Sequence, residues 1–147
     1  VSLILARIDQ RLVHGQVVVG WMPLLAPDRV LVIDDVLAAE AWEADLVVST
    51  VPAGIEADVR PVAEGAALLR EEAGRSGRLL LLVRWPSTML ALARQGVQLE
   101  EVNVGGLHQR EGTRRLLEYV HLTGEDIEAL AELARSGVRI SAQDAPA

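Results

Sequence analysis

The 147-residue chain contains no cysteine, no lysine and no phenylalanine. Without thiols there is neither a disulfide framework nor a thiolate metal site, which suits a reducing compartment. Without lysine, Schiff-base chemistry and a phosphate loop of the Gly-Lys type are excluded. All positive charge beyond histidine rests on 14 arginines; together with the dominance of Ala, Leu and Val, this reads as genomic base composition. Half of the chain is hydrophobic, yet no apolar run approaches the ~18 to 20 residues that cross a bilayer. No signal peptide is recognisable at its start, and the expectation is a soluble protein. The net charge of -7 argues against nucleic acid as a partner, because phosphate backbones attract concentrated positive charge. His14, His108 and His121 are scattered without H-x-x-x-H spacing, so neither a metal site nor a cofactor is inferred.

What is present is an alternation of short apolar runs with amphipathic segments. A βαβα order of this kind predicts an α/β fold, a single doubly wound domain over residues 1–147 with a mostly parallel central sheet and helices on both faces. Strands are expected at Ser2 to Ile8, Arg29 to Ile33, Ile55 to Arg60, Leu79 to Arg84, Glu101 to Val104, Glu118 to Leu122 and Val138 to Ala142. Helix faces are expected from Ala39, Trp42 and Leu46; from Val62, Ala66 and Leu69; from Met89, Leu92 and Ala93; and from Ile127, Leu130, Ala131 and Ala134. Pro61 and Pro86 stand where helices start, Gly96 and Gly137 where they stop, and Thr123 with Asp126 forms a capping-box pattern. Gly105 to Arg115 reads as one extended irregular segment.

The chemistry concentrates in Arg7-Ile8-Asp9-Gln10-Arg11-Leu12-Val13-His14-Gly15-Gln16-Val17. This run leaves an apolar strand and enters a helix marked by Val17, Val18, Trp21, Leu24 and Leu25. His14 therefore falls at a helix N-terminus, where unpaired N–H groups and the dipole favour an anion or a phosphoryl group. Arginine offers a donor fork that matches phosphate oxygens, and a nearby carboxylate can orient an imidazole. A solvated turn with a local Asp–Arg pair would use the same residues without chemistry.

The run resembles the active-site signature of the IIB component of the mannose and sorbose family of the bacterial sugar phosphotransferase system, R-x-D-x-R-L-x-H-G-Q-V followed by Trp. Every fixed position is filled, Trp21 included. Further matches are Val32-Ile33-Asp34-Asp35, Val51-Pro52-Ala53-Gly54, and Asn103-Val104-Gly105-Gly106-Leu107-His108 with Gly112, so the resemblance spans nearly the whole chain. It implies that His14 accepts a phosphoryl group on Nδ1 from a phosphohistidine of the IIA component. The group then passes to a hexose or related sugar carried by the membrane components IIC and IID, and the protein is cytoplasmic and peripheral to that transporter. Arg11 inherits the phosphate-holding role and Asp9 matches the family's loop aspartate, with Arg7, Gly15 and Gln16 completing the loop.

Members of the family continue into a further C-terminal helix, whereas the residues here stop at Asp144-Ala145-Pro146-Ala147. If that helix is absent, one flank of the sheet loses cover that a partner could supply.

Ligands of open parallel sheets gather beyond the carboxyl ends of the strands. That places Asp34, Asp35, Trp85, Gly105, Gly106 and His108 at a prospective rim around His14. Asp34 and Asp35 fit a helix cap equally well, Trp85 fits a packing residue, and the glycines fit turns alone. The site is expected to be shallow and accessible. Besides the phosphocarrier, two readings stay open: a phosphorylatable regulatory relative, and a non-catalytic module binding a phosphorylated metabolite, which lacks the fingerprints of a nucleotide loop.

Overall fold

Four consecutive leucines, Leu79 to Leu82, are completely or almost completely shielded from solvent, as a strand buried on both faces requires. They belong to β4 (Arg78–Val83), at the heart of a six-stranded parallel sheet. The computed structural model describes residues 2–73 and 76–146, without the side chains of Ser2 and Gln16. Beside β4 lie β1 (Ser2–Ile8) and β2 (Arg29–Ile33); β3 (Glu56–Arg60) closes one edge, while β5 (Glu101–Val104) and β8 (Arg139–Ala142) form the other. The order is β3-β2-β4-β1-β5-β8.

Between the strands run a π-helical segment, Gln16–Trp21, continuing into α1 (Met22–Leu25), then α2 (Asp35–Ala38), α3 (Ala41–Ser49), α4 (Val62–Glu72), α5 (Pro86–Arg94) and α6 (Gly124–Arg135). The mostly parallel sheet with surrounding helices agrees with the expected architecture. No helix among the described residues is long and apolar enough to cross a membrane.

Strand alternation divides the core in two. Ala6, Ile8, Leu31, Ile33, Leu79, Leu81 and Val83 face Ala66 of α4, Met89 and Leu92 of α5 and Leu133 of α6. Val30, Val32, Leu80 and Leu82 face Leu12, Val17, Trp21, Met22 and Leu37. A register shift between Leu3 and Leu5 lets these residues pack on opposite clusters, although i and i+2 share a face in a regular strand. After that shift Arg7 points to the Trp21 side, and its guanidinium stacks 5.1 Å from the indole centroid.

Helix punctuation follows the sequence closely. Pro61 is the N-cap of α4, Pro86 opens α5, and Thr123 and Asp126 exchange both bonds of a capping box at α6. Gly96 and Gly137 take φ values of +87° and +98° just after α5 and α6, where glycine alone is unstrained.

Several expectations fail. The stretch expected to be irregular from Gly105 to Arg115 ends in a strand: β6 (Arg114–Leu117) pairs antiparallel with β7 (Val120–Leu122), and Glu118 lies in their turn, outside the strand drawn over it. Ala39 caps α2, while Trp42 and Leu46 of α3 are 65% and 59% exposed; the break at Glu40 separates two short helices and turns that stripe outward. On α6 the covered face is Asp126, Ala129, Leu130 and Leu133, with Ile127 and Ala134 exposed. Leu24 is exposed as well, because the segment before it winds as a π-helix.

Candidate active site

The chain leaves β1 at its carboxyl end and is caught by β4 on one side and by the segment that follows β5 on the other. The Asp9 N–H donates to the Val83 carbonyl at 2.8 Å, and the Gln10 N–H donates to the Gly106 carbonyl at 2.8 Å. This is where the strand order reverses: the chain leaves β1 toward β2 on one side and crosses from β4 to β5 on the other. Leu12 closes a turn onto the Asp9 carbonyl and adopts φ 55°. Left-handed backbone is unfavourable for a bulky residue; burial of the Leu12 side chain among Val17, Trp21 and Leu82 offsets it.

The turn leaves Asp9 entirely buried with five donors converging on it. Oδ1 accepts from the Arg11 backbone N–H at 3.0 Å and from Arg11 Nε at 3.1 Å; Oδ2 accepts from Arg7 Nη2 at 3.1 Å, from Arg11 Nη2 at 3.1 Å and from His14 Nε2 at 3.0 Å. Burial by itself would raise the pKa of Asp9, but the bonds from His14 and Arg11 outweigh it and hold the carboxyl well below the usual range. An ionised carboxylate can only accept, so Nε2 of His14 is assigned the hydrogen. The lone pair of the neutral ring is then on Nδ1.

Arg7 is the pillar under this arrangement. Wholly buried, it donates through Nη1 to the Asn103 side-chain oxygen and to the Gln143 carbonyl at 2.7 Å, and through Nη2 to Asp9 and to the Asp144 carbonyl at 2.8 Å. Burial lowers its pKa, and the attraction of Asp9 opposes that effect. Arg11 lies above, 29% exposed; burial would lower its pKa, but its bonds to Asp9 and Asp144 raise it. The histidine side chain is 15% exposed, open at the surface with its Asp9-facing edge inside. His14 also begins the helical run, its carbonyl accepting from the Val18 N–H at 2.8 Å.

The family model for the PTS system sorbose subfamily IIB component matches residues 3–147. The chain belongs to that family. It is 30% identical over 145 residues to the fructose-specific EIIB component of Bacillus subtilis, covering 99% of this chain and 89% of that one. The mannose-specific EIIAB component of Escherichia coli is 33% identical over 136 residues, which cover 92% of this chain and 42% of that longer protein. The crystal structure of the IIBSor domain of the sorbose permease from Klebsiella pneumoniae superposes with a TM-score of 0.93 at 28% identity, covering 100% of this chain and 90% of that one.

In this IIB component the expected site residues separate into three groups. Asp9, Arg11, His14, Gly105 and Gly106 come together. Gly105 donates its N–H to the Ile8 carbonyl at 2.7 Å, and a β-carbon there would stand 2.3 Å from Arg7 Nη2 and 2.5 Å from Asp9 Oδ2. A β-carbon on Gly106 would meet the Arg11 guanidinium at 2.7 Å. These glycines are bare because charged side chains lie directly against them.

Arg7 belongs to the cluster too, but beneath the loop, where its paired guanidinium braces Asp9 away from the surface. Gly15 is exposed at the helix start, and the Gln16 side chain lies outside the described residues. Of the other expected rim residues, Asp34, Asp35 and Trp85 are drawn elsewhere. Asp34 caps α2 by accepting from the Leu37 N–H at 2.9 Å, and Asp35 accepts from the Val62 N–H at 2.7 Å at the start of α4. Trp85 caps α5 and lies under the Arg110 guanidinium, 4.7 Å from ring centroid to Arg110 Cζ. His108 is exposed, and its backbone N–H donates to Gln10 Oε1 of the loop at 2.8 Å.

Sequence reasoning missed Asn103, Gln143 and Asp144. Asn103 stood inside a quoted family match without a role, and nothing local to Gln143 or Asp144 points to Arg7. A groove of about 600 Å³ opens elsewhere, lined by Leu3, Leu5, Arg70, Gly96, Glu100 and Arg139 among others, and neither His14 nor Arg11 contributes to it.

Proposed function

We propose that this IIB component is a phosphocarrier: His14 takes a phosphoryl group from a phosphohistidine of a IIA component and passes it to a sugar carried by IIC and IID membrane components. The observation that carries this reading is the 3.0 Å bond from His14 Nε2 to a buried, ionised Asp9 that Arg11 grips from the other side. In the first transfer the Nδ1 lone pair of His14 forms a bond to phosphorus while the donor's N–P bond breaks. The breaking pair returns to the donor ring, which leaves as neutral imidazole when its other nitrogen carries a proton. His14 keeps its Nε2 hydrogen and becomes an imidazolium whose charge Asp9 stabilises; Arg11 stands beside the developing phosphoryl charge. In the second transfer a sugar hydroxyl oxygen bonds to phosphorus, its proton passes to water or a base of the acceptor complex, and His14 departs neutral.

Nothing more than alignment and charge stabilisation is asked of the chain, so the site is a surface that two partners meet in turn. Sugar selectivity then resides mainly in the membrane components, and the protein works in the cytoplasm against that transporter.

Intact-mass measurement at alkaline pH, after incubation with phosphoenolpyruvate, the general phosphotransferase enzymes and a mannose-family IIA, tests the reading. The expected result is one acid-labile phosphate that maps to His14 and is missing from His14→Ala. Absence of phosphate on the wild type, with a donor that labels another IIB protein, overturns it.

A further inference from the structure

Arg11 has a second carboxylate on its outer edge. Arg11 Nη2 donates to Asp9 Oδ2 and to Asp144 Oδ1, both at 3.1 Å. The two acids differ in kind: Asp9 is entirely buried, whereas the Asp144 side chain is 39% exposed. Backbone and side chain of Asp144 differ as well. Its carbonyl is fixed by Arg7 Nη2 at 2.8 Å and faces Trp21 Nε1 at 3.4 Å, and the preceding Gln143 N–H donates to the Val104 carbonyl at 3.0 Å. The strand end is therefore anchored, while among the described residues the carboxylate rests on a single ion pair, with Arg11.

We propose that Asp144 is a positioning residue that occupies Arg11 in place of the phosphoryl group and yields that edge when His14 is phosphorylated. The inference rests on the phosphocarrier reading above. Arg7 and Arg11 balance Asp9 and Asp144 in charge, so the resting cluster is neutral. The phosphoryl oxygens carry roughly two negative charges while the ring gains one positive charge, and Asp9 cannot make room for those oxygens because it is buried under five donors. Asp144 can, by turning its side chain outward while its backbone stays in place. A half-exposed pair is weak, and that is what a placeholder needs: strong enough to hold Arg11 ready, weak enough to be displaced.

Phosphoramidate, which phosphorylates histidine without a protein donor, provides the test. Asp144→Asn should accept phosphate on His14 about three- to tenfold faster than wild type, the gap narrowing as salt screens the carboxylate. Asp144→Glu should restore the wild-type rate, and both variants should unfold at the wild-type midpoint. A purely structural role would move the unfolding midpoint and leave the salt dependence of the rate unchanged. Rates for Asp144→Asn equal to or below wild type, with His14 still labelled in both, overturn the role of Asp144 alone. Failure of His14 to be labelled in wild type by phosphoramidate and by IIA removes the phosphocarrier reading, and this proposal with it.

Discussion

His14 Nε2 and Asp9 Oδ2 are 3.0 Å apart, and the carboxylate end of that bond is completely buried while the ring reaches the surface. The pair thus couples an accessible imidazole to a charge in the protein interior. In water such a bond would orient the ring only weakly; with solvent excluded from one side, electrostatic attraction is stronger and the geometry is fixed.

Replacing Asp9 with Asn tests that coupling and its pH dependence together. The folded-state pKa of Asp9 lies below its unfolded value, so Asp9 contributes stability above about pH 4, the ordinary carboxylate value. That contribution is lost as pH falls toward the depressed folded pKa, since the unfolded state then binds the proton more readily. Asp9→Asn should cost roughly 3 to 5 kcal/mol at pH 7, because it leaves Arg7 buried without its carboxylate. It should also flatten the decline of stability below pH 4. Urea unfolding of both proteins between pH 2.5 and 7 measures each effect, and parallel pH profiles would show that Asp9 is not the acid-sensitive group.

The adjacent glycines should give opposite phenotypes. A methyl on Gly105 would press against the buried guanidinium of Arg7 and the Asp9 carboxylate, neither of which has space to retreat, so Gly105→Ala should destabilise the protein by about 1 to 3 kcal/mol, as overpacking does. A methyl on Gly106 would meet the end of Arg11, a flexible side chain that can move outward. Gly106→Ala should lower stability by less than Gly105→Ala, because Arg7 and His14 still hold Asp9 while Arg11 shifts, and should slow phosphorylation of His14 at least tenfold by displacing Arg11. Thermal unfolding combined with the rate of labelling by IIA separates the two; equal losses of stability would contradict the packing argument.

The inner strands β2 and β4 were legible because they are buried and read as nearly unbroken apolar runs, Val30 to Ile33 and Leu79 to Val83. The hairpin was read only in its second half: β7 falls inside the strand expected from Glu118 to Leu122, but Arg114, Arg115, Leu116 and Leu117 are all exposed, so β6 carries no alternation to reveal it. Val17 and Trp21, four apart, suit a π-helix as well as an α-helix, and spacing alone could not tell the two. Within the site, Asp9, Arg11 and His14 were found because they are neighbours in sequence. Asn103, Gln143 and Asp144 reach Arg7 from 96 to 137 residues away, brought there by the neighbouring positions of β1, β5 and β8. Such convergence depends on strand order, which local pattern does not encode.

Strand order also explains why Asp34 and Asp35, although they follow a strand at the same end of the sheet, are helix caps. β2 lies on the far side of β4 from β1, and the Asp34 carboxylate, 5% exposed, is turned onto the Leu37 N–H. Asp34→Ala should therefore lower stability by about 1 to 2 kcal/mol, the ordinary loss for a helix N-cap, and leave the rate of His14 phosphorylation unchanged. Urea unfolding and the labelling rate from IIA measure the two quantities on one preparation. A labelling rate reduced tenfold with stability intact would return Asp34 to the rim of the site and show that a partner, once docked, extends the reacting surface beyond β1, β4 and β5.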